Sequence, residues 1–381
     1  MDSKREFCKV KHTEIAKLIR AAGNRSADLL YASGFPTADD YLFAEFGGKR
    51  LIVLSPLEID RGRLEAAPGV EVLCDTEFSS ADGAAVVREL AARFGAEGFL
   101  VPADFPLGFA DELRRAGISV TPAGEGSFFP EREFKSESEV EKIAEALRAA
   151  EAGTRRGIEV LRESSPGEGG VLFRRGEVLT SEILRGEIEA ELLRHGAMPA
   201  EGTIAAGALQ GAQPHNAGSG PLYADTPIVM DVFPRSVSTG YWGDLTRTVV
   251  RGCASPTVAR AFEAVLEARE LGKRMLRRGA IPAEIHAAAA DHLASRGFPT
   301  GTGERGRHGF FHGLGHGVGL EIHEAPRLSP RNAEPLRGGE VVTVEPGLYY
   351  PEWGGIRLED MAYVTSGGCR VLTEIGTPFE I

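Results

Sequence analysis

The 381 residues are enough for two domains or one large α/β domain, and a hydrophobic content of 42% with 26% charged residues is that of an ordinary globular protein. A formal charge of −12 and a pI near 5.4 argue against nucleic acid or an anionic membrane as the main partner, and leave carboxylates to spare for hard cations. No apolar run approaches the ~20 residues that cross a bilayer, "MDSKREFCKVKHTE" has no signal-type apolar stretch, and Cys8, Cys74, Cys253 and Cys369 are scattered singly, so a cytoplasmic protein with reduced thiols is expected.

Over residues 1–130 the rhythm alternates. "LIVLS" (51–55), "VEVLC" (70–74), "GFLVP" (98–102) and "ISVT" (118–121) read as short strands, with amphipathic helices at 81–94 and 106–116 between them. This predicts an α/β domain on a mixed or parallel sheet, with no cluster of ligand-type residues. Near Pro130 the texture changes. Ser136 and Glu139 form a capping box for a long helix through Val140, Ile143, Leu147, Ala150 and Ile158, and the domain boundary is placed here. Further helices are predicted at 181–195, stopped by Gly196, at 256–278 with Ser255 as N-cap and Pro256 at N1, and at 282–296 with Pro282 at N1. The Gly/Ser-rich 164–170 and the glycine-rich 297–319 read as loops.

Two segments look like hairpins with an acid on each arm. In "TPIVMDVFPRSVSTGYWGDLTRTVVRG" an apolar run ends in Asp231, a turn passes Ser238-Thr239-Gly240, and a Thr/Val-rich strand follows Asp244. In "GGEVVTVEPGLYYPEWGGIRLED" Val341–Val344 runs into Glu345, the turn is "PEWGG", and the returning strand 356–359 carries Glu359. The acids are 13 positions apart in the first (231 to 244) and 14 in the second (345 to 359), as in a duplicated unit whose four carboxylates converge. Asp is a poor strand former, and a solvated strand-end acid is the ordinary explanation for any one of them alone.

Between the hairpins lies "GFFHGLGHGVGLEIHEAP", with His312, His316 and His323. The four-residue spacing of the first two is that of a helical zinc site, but glycine at 313, 315, 317 and 319 makes helix the wrong backbone, since each costs about 1 kcal/mol relative to Ala. Any metal-binding histidine here acts from a loop or strand. Four converging carboxylates need cations to neutralise them. Adding His316 gives a mostly oxygen set that suits Mn²⁺, Fe²⁺, Co²⁺ or Zn²⁺, and five ligands fit two ions better than one.

Asp231 and Asp244 in "MDV…GYWGDLTRT", His316 in "GLGHGVGLEIHE", Glu345 in "VEPG" and Glu359 in "IRLED" resemble, in order and spacing, the signature of the pita-bread metallopeptidases, which include methionine aminopeptidase, aminopeptidase P and prolidase. The resemblance covers roughly 135–381, while 1–130 looks like the N-terminal domain of aminopeptidase P, prolidase and creatinase. It implies an α/β (α+β) chain: a creatinase-like domain at 1–130, then at 131–381 a pita-bread domain of duplicated αβ units around a curved antiparallel sheet. It further implies two divalent ions, manganese before cobalt, zinc or iron, with Asp231 on one, Asp244 and Glu359 bridging, and His316 and Glu345 completing the second. A hydroxide held between the ions would attack the peptide carbonyl, with Glu345 as general base and His323 and His215, in "QPHNAG", as substrate-side groups. Arg357, two residues from Glu359 on the same strand face, is placed to orient an acidic ligand. His312 is expected to shape the loop or line the pocket, and Arg327 in "HEAPR" is a candidate for a dipeptide's terminal carboxylate.

The implied activity is hydrolysis of the Xaa-Pro bond at a peptide N-terminus or in a dipeptide, by a chain that relatives suggest is a homodimer or higher homo-oligomer. The extra domain disfavours methionine aminopeptidase, and the intact ligand set disfavours a metal-free creatinase-like hydrolase or a non-catalytic relative. An aminopeptidase without proline preference is the remaining alternative. One departure stands out: after Asp231 the family often has a small Gly-Ala pair, where this chain has Val232-Phe233-Pro234-Arg235, and Phe233 shares a face with Asp231. His12, His195, His286, His292 and His308, Cys253, Trp242 and Tyr349-Tyr350 are assigned no chemistry.

Overall fold

The computed structural model describes residues 15–124 and 126–381, which places Cys8 and His12 outside the described residues. The chain divides between Pro130 and Glu131 into two compact units.

The first unit is built on a six-stranded mixed sheet. Its strands are β1 (Ile15–Ala22), β2 (Asp40–Phe46), β3 (Lys49–Leu54), β4 (Val70–Cys74), β5 (Gly98–Val101) and β6 (Ser119–Pro122), in the order β4-β3-β2-β1-β5-β6. The pairs β1–β2 and β2–β3 are antiparallel, and the outer pairs are parallel. Its helices are α1 (Ala27–Ser33), α2 (Ile59–Glu65), α3 (Gly83–Phe94) and α4 (Leu107–Arg115). Successive strand residues point to opposite faces, so Leu51 packs with Val87, Leu90 and Leu113 on the α3/α4 side, while Ile52 packs with Leu29 and Ile59 on the α1/α2 side. A sheet buried on both faces explains why its strands read as plain apolar runs. The sequence does not mark β1, α1 or β2: "IAKLIRAA" suits either period until β2 pairs with it.

The second unit repeats a motif of two helices and a sheet. The long helix α5 (Glu137–Arg162) starts at the Ser136–Glu139 capping box and packs on α6 (Ser181–Arg194), which is followed by the antiparallel strands Thr203–Gly207, Pro227–Val232 and Leu245–Val250. Then α7 (Pro256–Met275) and α8 (Pro282–Ser295) pack together, and the strands Glu324–Leu328, Gly315–Gly317, Val341–Val344, Asp360–Val364 and Cys369–Val371 lie side by side in that order. A core of Val265, Ala268, Leu293, Val342, Val344 and Ala362, among others, joins α7 and α8 to this sheet.

The first hairpin forms as read, with Asp231 directly opposite Thr246. The second differs. Val341–Val344 pairs with Asp360–Val364, and a separate small hairpin, Gly347–Tyr350 with Gly354–Arg357, is nested between them, so "PEWGG" is the turn of the inner ladder. Glu345 and Glu359 therefore sit at the junction of the two ladders. The segment 297–319 is also not one loop: it holds the small Gly301–Gly303/Gly306–His308 hairpin and the Gly315–Gly317 strand. There the glycines serve close approach, since a Cβ on Gly315 would come within 2.0 Å of the Thr343 carbonyl oxygen and one on Gly317 within 2.1 Å of that of Ala325. The antiparallel sheet of this unit is assembled from short ladders, joined by bonds such as Glu359 N to the Thr246 carbonyl (3.1 Å). No helix of the described residues is long and apolar enough to cross a membrane.

Candidate metal centre

A cavity of about 930 Å³ in the second unit is lined by Asp231, Asp244, His316, Glu345 and Glu359, together with His215, His312, His323, Arg327 and Arg357. All ten candidate residues therefore face one space. They arrive from different ladders: Asp231 and Asp244 from the first hairpin, His316 from the Gly315–Gly317 strand, Glu345 and Glu359 from the ladder junction.

The five central residues are buried or nearly so; Asp244 and His316 are each 5% exposed and Glu359 1%. Asp244, His316 and Glu359 bring one ligand-type atom each to within 4.8 Å of one another. His316 Nε2 lies 3.5 Å from Asp244 Oδ2 and 3.3 Å from Glu345 Oε1. Its Nδ1 faces the Gly317 carbonyl at 3.2 Å, so Nδ1 carries a hydrogen and Nε2 is the ring nitrogen turned toward the acids.

Surrounding donors hold the acids in place. Arg357 Nη2 donates to Asp231 Oδ2 at 2.6 Å, so the arginine of the second half grips an acid of the first. Its Nη1 donates to the Tyr349 hydroxyl (2.8 Å) and its Nε to Thr246 Oγ1 (3.2 Å). Thr246 Oγ1 in turn donates to Glu359 Oε2 (2.9 Å), and Thr343 Oγ1 to Glu345 Oε1 (3.3 Å). Two buried oxygens, Asp231 Oδ1 and Glu359 Oε1, have no hydrogen-bond partner among the described residues. A buried, unsatisfied carboxylate oxygen is costly, and here two are turned into one ring of acids.

The electrostatics show the same deficit of positive charge. Burial, then the neighbouring carboxylates Glu359, Asp231 and Glu345, pushes Asp244 well above the usual carboxylate range, and burial with Glu345 and Asp231 does the same to Glu359. Burial would raise Glu345 too, but the hydrogen bond and charge of His316, followed by His312 and Arg357, bring it down to about 2. Burial acts to discharge Arg357, yet Tyr349, Asp231 and Glu345 hold its guanidinium firmly charged. One arginine and one imidazole do not balance four acids. The donor set, the orphaned oxygens and the orientation of His316 Nε2 all fit divalent cations.

Around this cluster, His312 places Nδ1 2.7 Å from the Gly313 carbonyl and Nε2 3.0 Å from the Tyr349 hydroxyl, so it is bonded into the wall, and burial lowers its pKa. His323 stands edge-on to His316, with ring centroids 4.4 Å apart. Although the residue is exposed toward the cavity, its ring is partly desolvated, and that, followed by His316 and Arg327, lowers its pKa to about 4, leaving it neutral at pH 7. His215 and Arg327 are exposed residues of the cavity wall, and Phe233 lines it as well. The other histidines among the described residues lie outside it: His195 and His292 meet Glu191 and Glu267, His286 stacks on Phe310, and His308 lies against Tyr350. Sequence reasoning missed Thr246, Thr343 and the Tyr349 hydroxyl. The threonines could have been found, because Thr246 and Thr343 each lie two residues from an acid, on the same strand face.

The profile of Metallopeptidase family M24 matches residues 141–366. An Xaa-Pro dipeptidase of Pyrococcus horikoshii is 30% identical over 354 residues, covering 92% of this chain and 91% of that protein. An uncharacterized peptidase of Bacillus subtilis is 34% identical over 244 residues, covering 64% of this chain and 62% of its own length, so in that case the likeness spans less than two thirds of the relative. The crystal structure of an X-Pro aminopeptidase from Thermotoga maritima superposes with a TM-score of 0.80 over 96% of this chain and 97% of that one at 24% identity, a likeness of fold. With the profile matching more than half of its length and a fold shared over most of the chain, this chain belongs to metallopeptidase family M24 and is a peptidase of the pita-bread fold.

Proposed function

We infer that the chain is a dinuclear-metal-dependent peptidase that hydrolyses the Xaa-Pro bond, in dipeptides or at a peptide N-terminus. The observation that carries this reading is the convergence of Asp231, Asp244, His316, Glu345 and Glu359 on one cavity with two carboxylate oxygens unpartnered. In this reading Asp231 holds one ion, Asp244 and Glu359 are shared, His316 and Glu345 complete the second, and manganese is the expected metal. Residues 1–130 form a creatinase/prolidase-like domain and 131–381 the catalytic domain, in a cytoplasmic homodimer or higher homo-oligomer. The Pyrococcus horikoshii dipeptidase, alike over nearly the whole chain, supports the proline assignment.

When bound, the ions supply Lewis acidity toward the scissile carbonyl and acidify a shared water. The chain does the rest. Glu345, ionised and seated beside His316, takes the proton of the attacking water and passes it to the departing proline nitrogen. His323, neutral at pH 7, and His215 beside it on the cavity wall hydrogen-bond the carbonyl oxygen as it gains charge. Arg357 holds the Asp231 carboxylate in orientation through its hydrogen bond. Arg327 pairs with no carboxylate among the described residues and is available to a dipeptide's terminal carboxylate. The test is to reconstitute purified protein with Mn²⁺, count the metal, and compare Xaa-Pro dipeptides with Xaa-Pro-Yaa peptides. Two equivalents of metal with Xaa-Pro cleavage support the reading. Less than one equivalent overturns the metal centre, and metal without activity on either substrate overturns the proline assignment.

A further inference from the structure

His323 has no hydrogen bond to its ring among the described residues, so its orientation must come from the backbone that carries it. That backbone is the turn from Gly317 to Glu324, whose closing pair joins the Gly315–Gly317 and Glu324–Leu328 strands beside His316. On one side it is pinned by Trp242, whose backbone N–H donates to the Gly319 carbonyl (2.9 Å) and whose indole Nε1 donates to that of Leu320 (3.1 Å).

On the other side the turn is folded around the carboxylate of Glu324. Glu324 Oε1 accepts from the backbone N–H of Glu321 (3.1 Å) and from Arg132 Nη2, and its Oε2 accepts from Lys135 Nζ (3.0 Å). The approach is tight: a Cβ on Gly319 would lie 2.5 Å from Oε2. The charged side chains are almost fully enclosed, with Arg132 3%, Lys135 1% and Glu324 6% exposed, while Arg132 also reaches Glu321 Oε2 at 2.8 Å. Burial on its own raises the Glu324 pKa, but Lys135 and then Arg132 more than offset this and keep the carboxylate ionised. Three buried charges thus meet at the residue next to His323, and the carboxylate among them also bonds the middle of its turn at Glu321.

We propose that Glu324 is a positioning residue for His323: gripped by Arg132 and Lys135, its carboxylate fixes the Gly317–Glu324 turn so that the imidazole stands edge-on to His316 at the cavity wall. The proposal rests on the reading of His323 as a substrate-side group. It also makes the two cations at the start of the second unit part of the support of the reaction site, although neither lines the cavity.

The test uses the full-length protein. Glu324→Gln keeps the size and one acceptor oxygen but removes the charge that the two cations share. In hydrogen–deuterium exchange without metal, amides of 317–324 exchange about ten-fold faster in this variant, while those of 341–346 keep their rates. With Mn²⁺ loaded to the wild-type stoichiometry, kcat on an Xaa-Pro dipeptide falls about 10- to 100-fold with little change in KM. In a His323→Ala background the same substitution lowers kcat less than about two-fold, because the group it positions is gone. Unchanged exchange in the turn, or an equal loss of kcat in both backgrounds, overturns the proposal. If Glu324→Gln does not fold, Lys135→Gln, which leaves Arg132 on the carboxylate, is carried through the same cycle. A wild-type chain inert on Xaa-Pro substrates refutes the proline assignment, while the exchange comparison, which needs no turnover, still decides for or against the clamp.

Discussion

Gly243, the residue before Asp244, lies against the backbone of α5 so closely that a single methyl group should disturb the metal centre. A Cβ there would stand 2.4 Å from the Leu147 nitrogen and 2.5 Å from the Ala146 carbonyl carbon, where ordinary contact begins at 3.4 Å. The clash is with main chain, and Ala146 and Leu147 are both 1% exposed, so the helix has nowhere to go. Gly243→Ala must therefore push its own strand away by about 1 Å, and Asp244 with it. Overpacking of this kind destabilises by about 1–3 kcal/mol. For a protein of this size that is a fall in Tm of about 2–4 °C per kcal/mol. A displacement of about 1 Å at a side chain that holds the proposed ions in register with substrate reduces the rate about 10²-fold. The assay is a thermal melt, a metal count after Mn²⁺ reconstitution and kcat on an Xaa-Pro dipeptide. Gly186→Ala serves as the control, because a Cβ at this site on α6 meets nothing within 4 Å; it should leave the metal count and kcat intact and, as a Gly→Ala change inside a helix, raise rather than lower the melt. Wild-type melting, stoichiometry and kcat for Gly243→Ala would refute the claim that this contact sets the position of Asp244.

Thr246→Val keeps the shape of the side chain but removes the donor to Glu359 and the acceptor for Arg357 Nε. Metal affinity, read by competition with a fluorescent chelator, or kcat should drop about 10- to 100-fold, and unchanged values for both would show that Glu359 needs no such support. Glu324 gives a pH signature. Its folded pKa lies below the 4.5 of the free side chain because Lys135 and Arg132 outweigh burial, so its contribution to stability is present above about pH 4.5 and is lost as pH falls through the folded value. Urea unfolding should accordingly show wild type losing stability faster than Glu324→Gln below about pH 4.5, and equal slopes would show that the clamp is not ionised.

Chemistry was more legible in the sequence than connectivity. Acids that break strand propensity at 231, 244, 345 and 359 stand out because a strand end tolerates one such residue without comment, but not four at matched spacing. Helices with caps read well for the same local reason: Ser136, Ser255 and Pro256 state where a helix begins within a few residues. The nested hairpin could not be read, since Ile356 and Arg357 fit a partner on either side and only the register decides that they face Leu348 and Gly347. The glycines of 313–319 suggested a loop leading into a strand, whereas at 315 and 317 they mark backbone pressed against backbone, information that belongs to the neighbouring strands. Glu324 was passed over because its partners Arg132 and Lys135 are 192 and 189 positions away, beyond the reach of any local pattern.

The grip of Arg357 on Asp231 bears on how the molecule could be taken apart. Asp231 and Asp244 come from the first helix-pair-and-sheet repeat; His316, Glu345, Glu359 and the arginine come from the second. Neither repeat owns a complete ligand set, and each leaves buried charge that only the other can satisfy. Cut at the exposed Cys253 between them, the two fragments of the second unit would be obligate partners, with reassembly driven by added Mn²⁺ and reversed by a chelator. On the proposed reading the centre is in that sense a seam, and the ions that would serve the reaction would also act as its fastening.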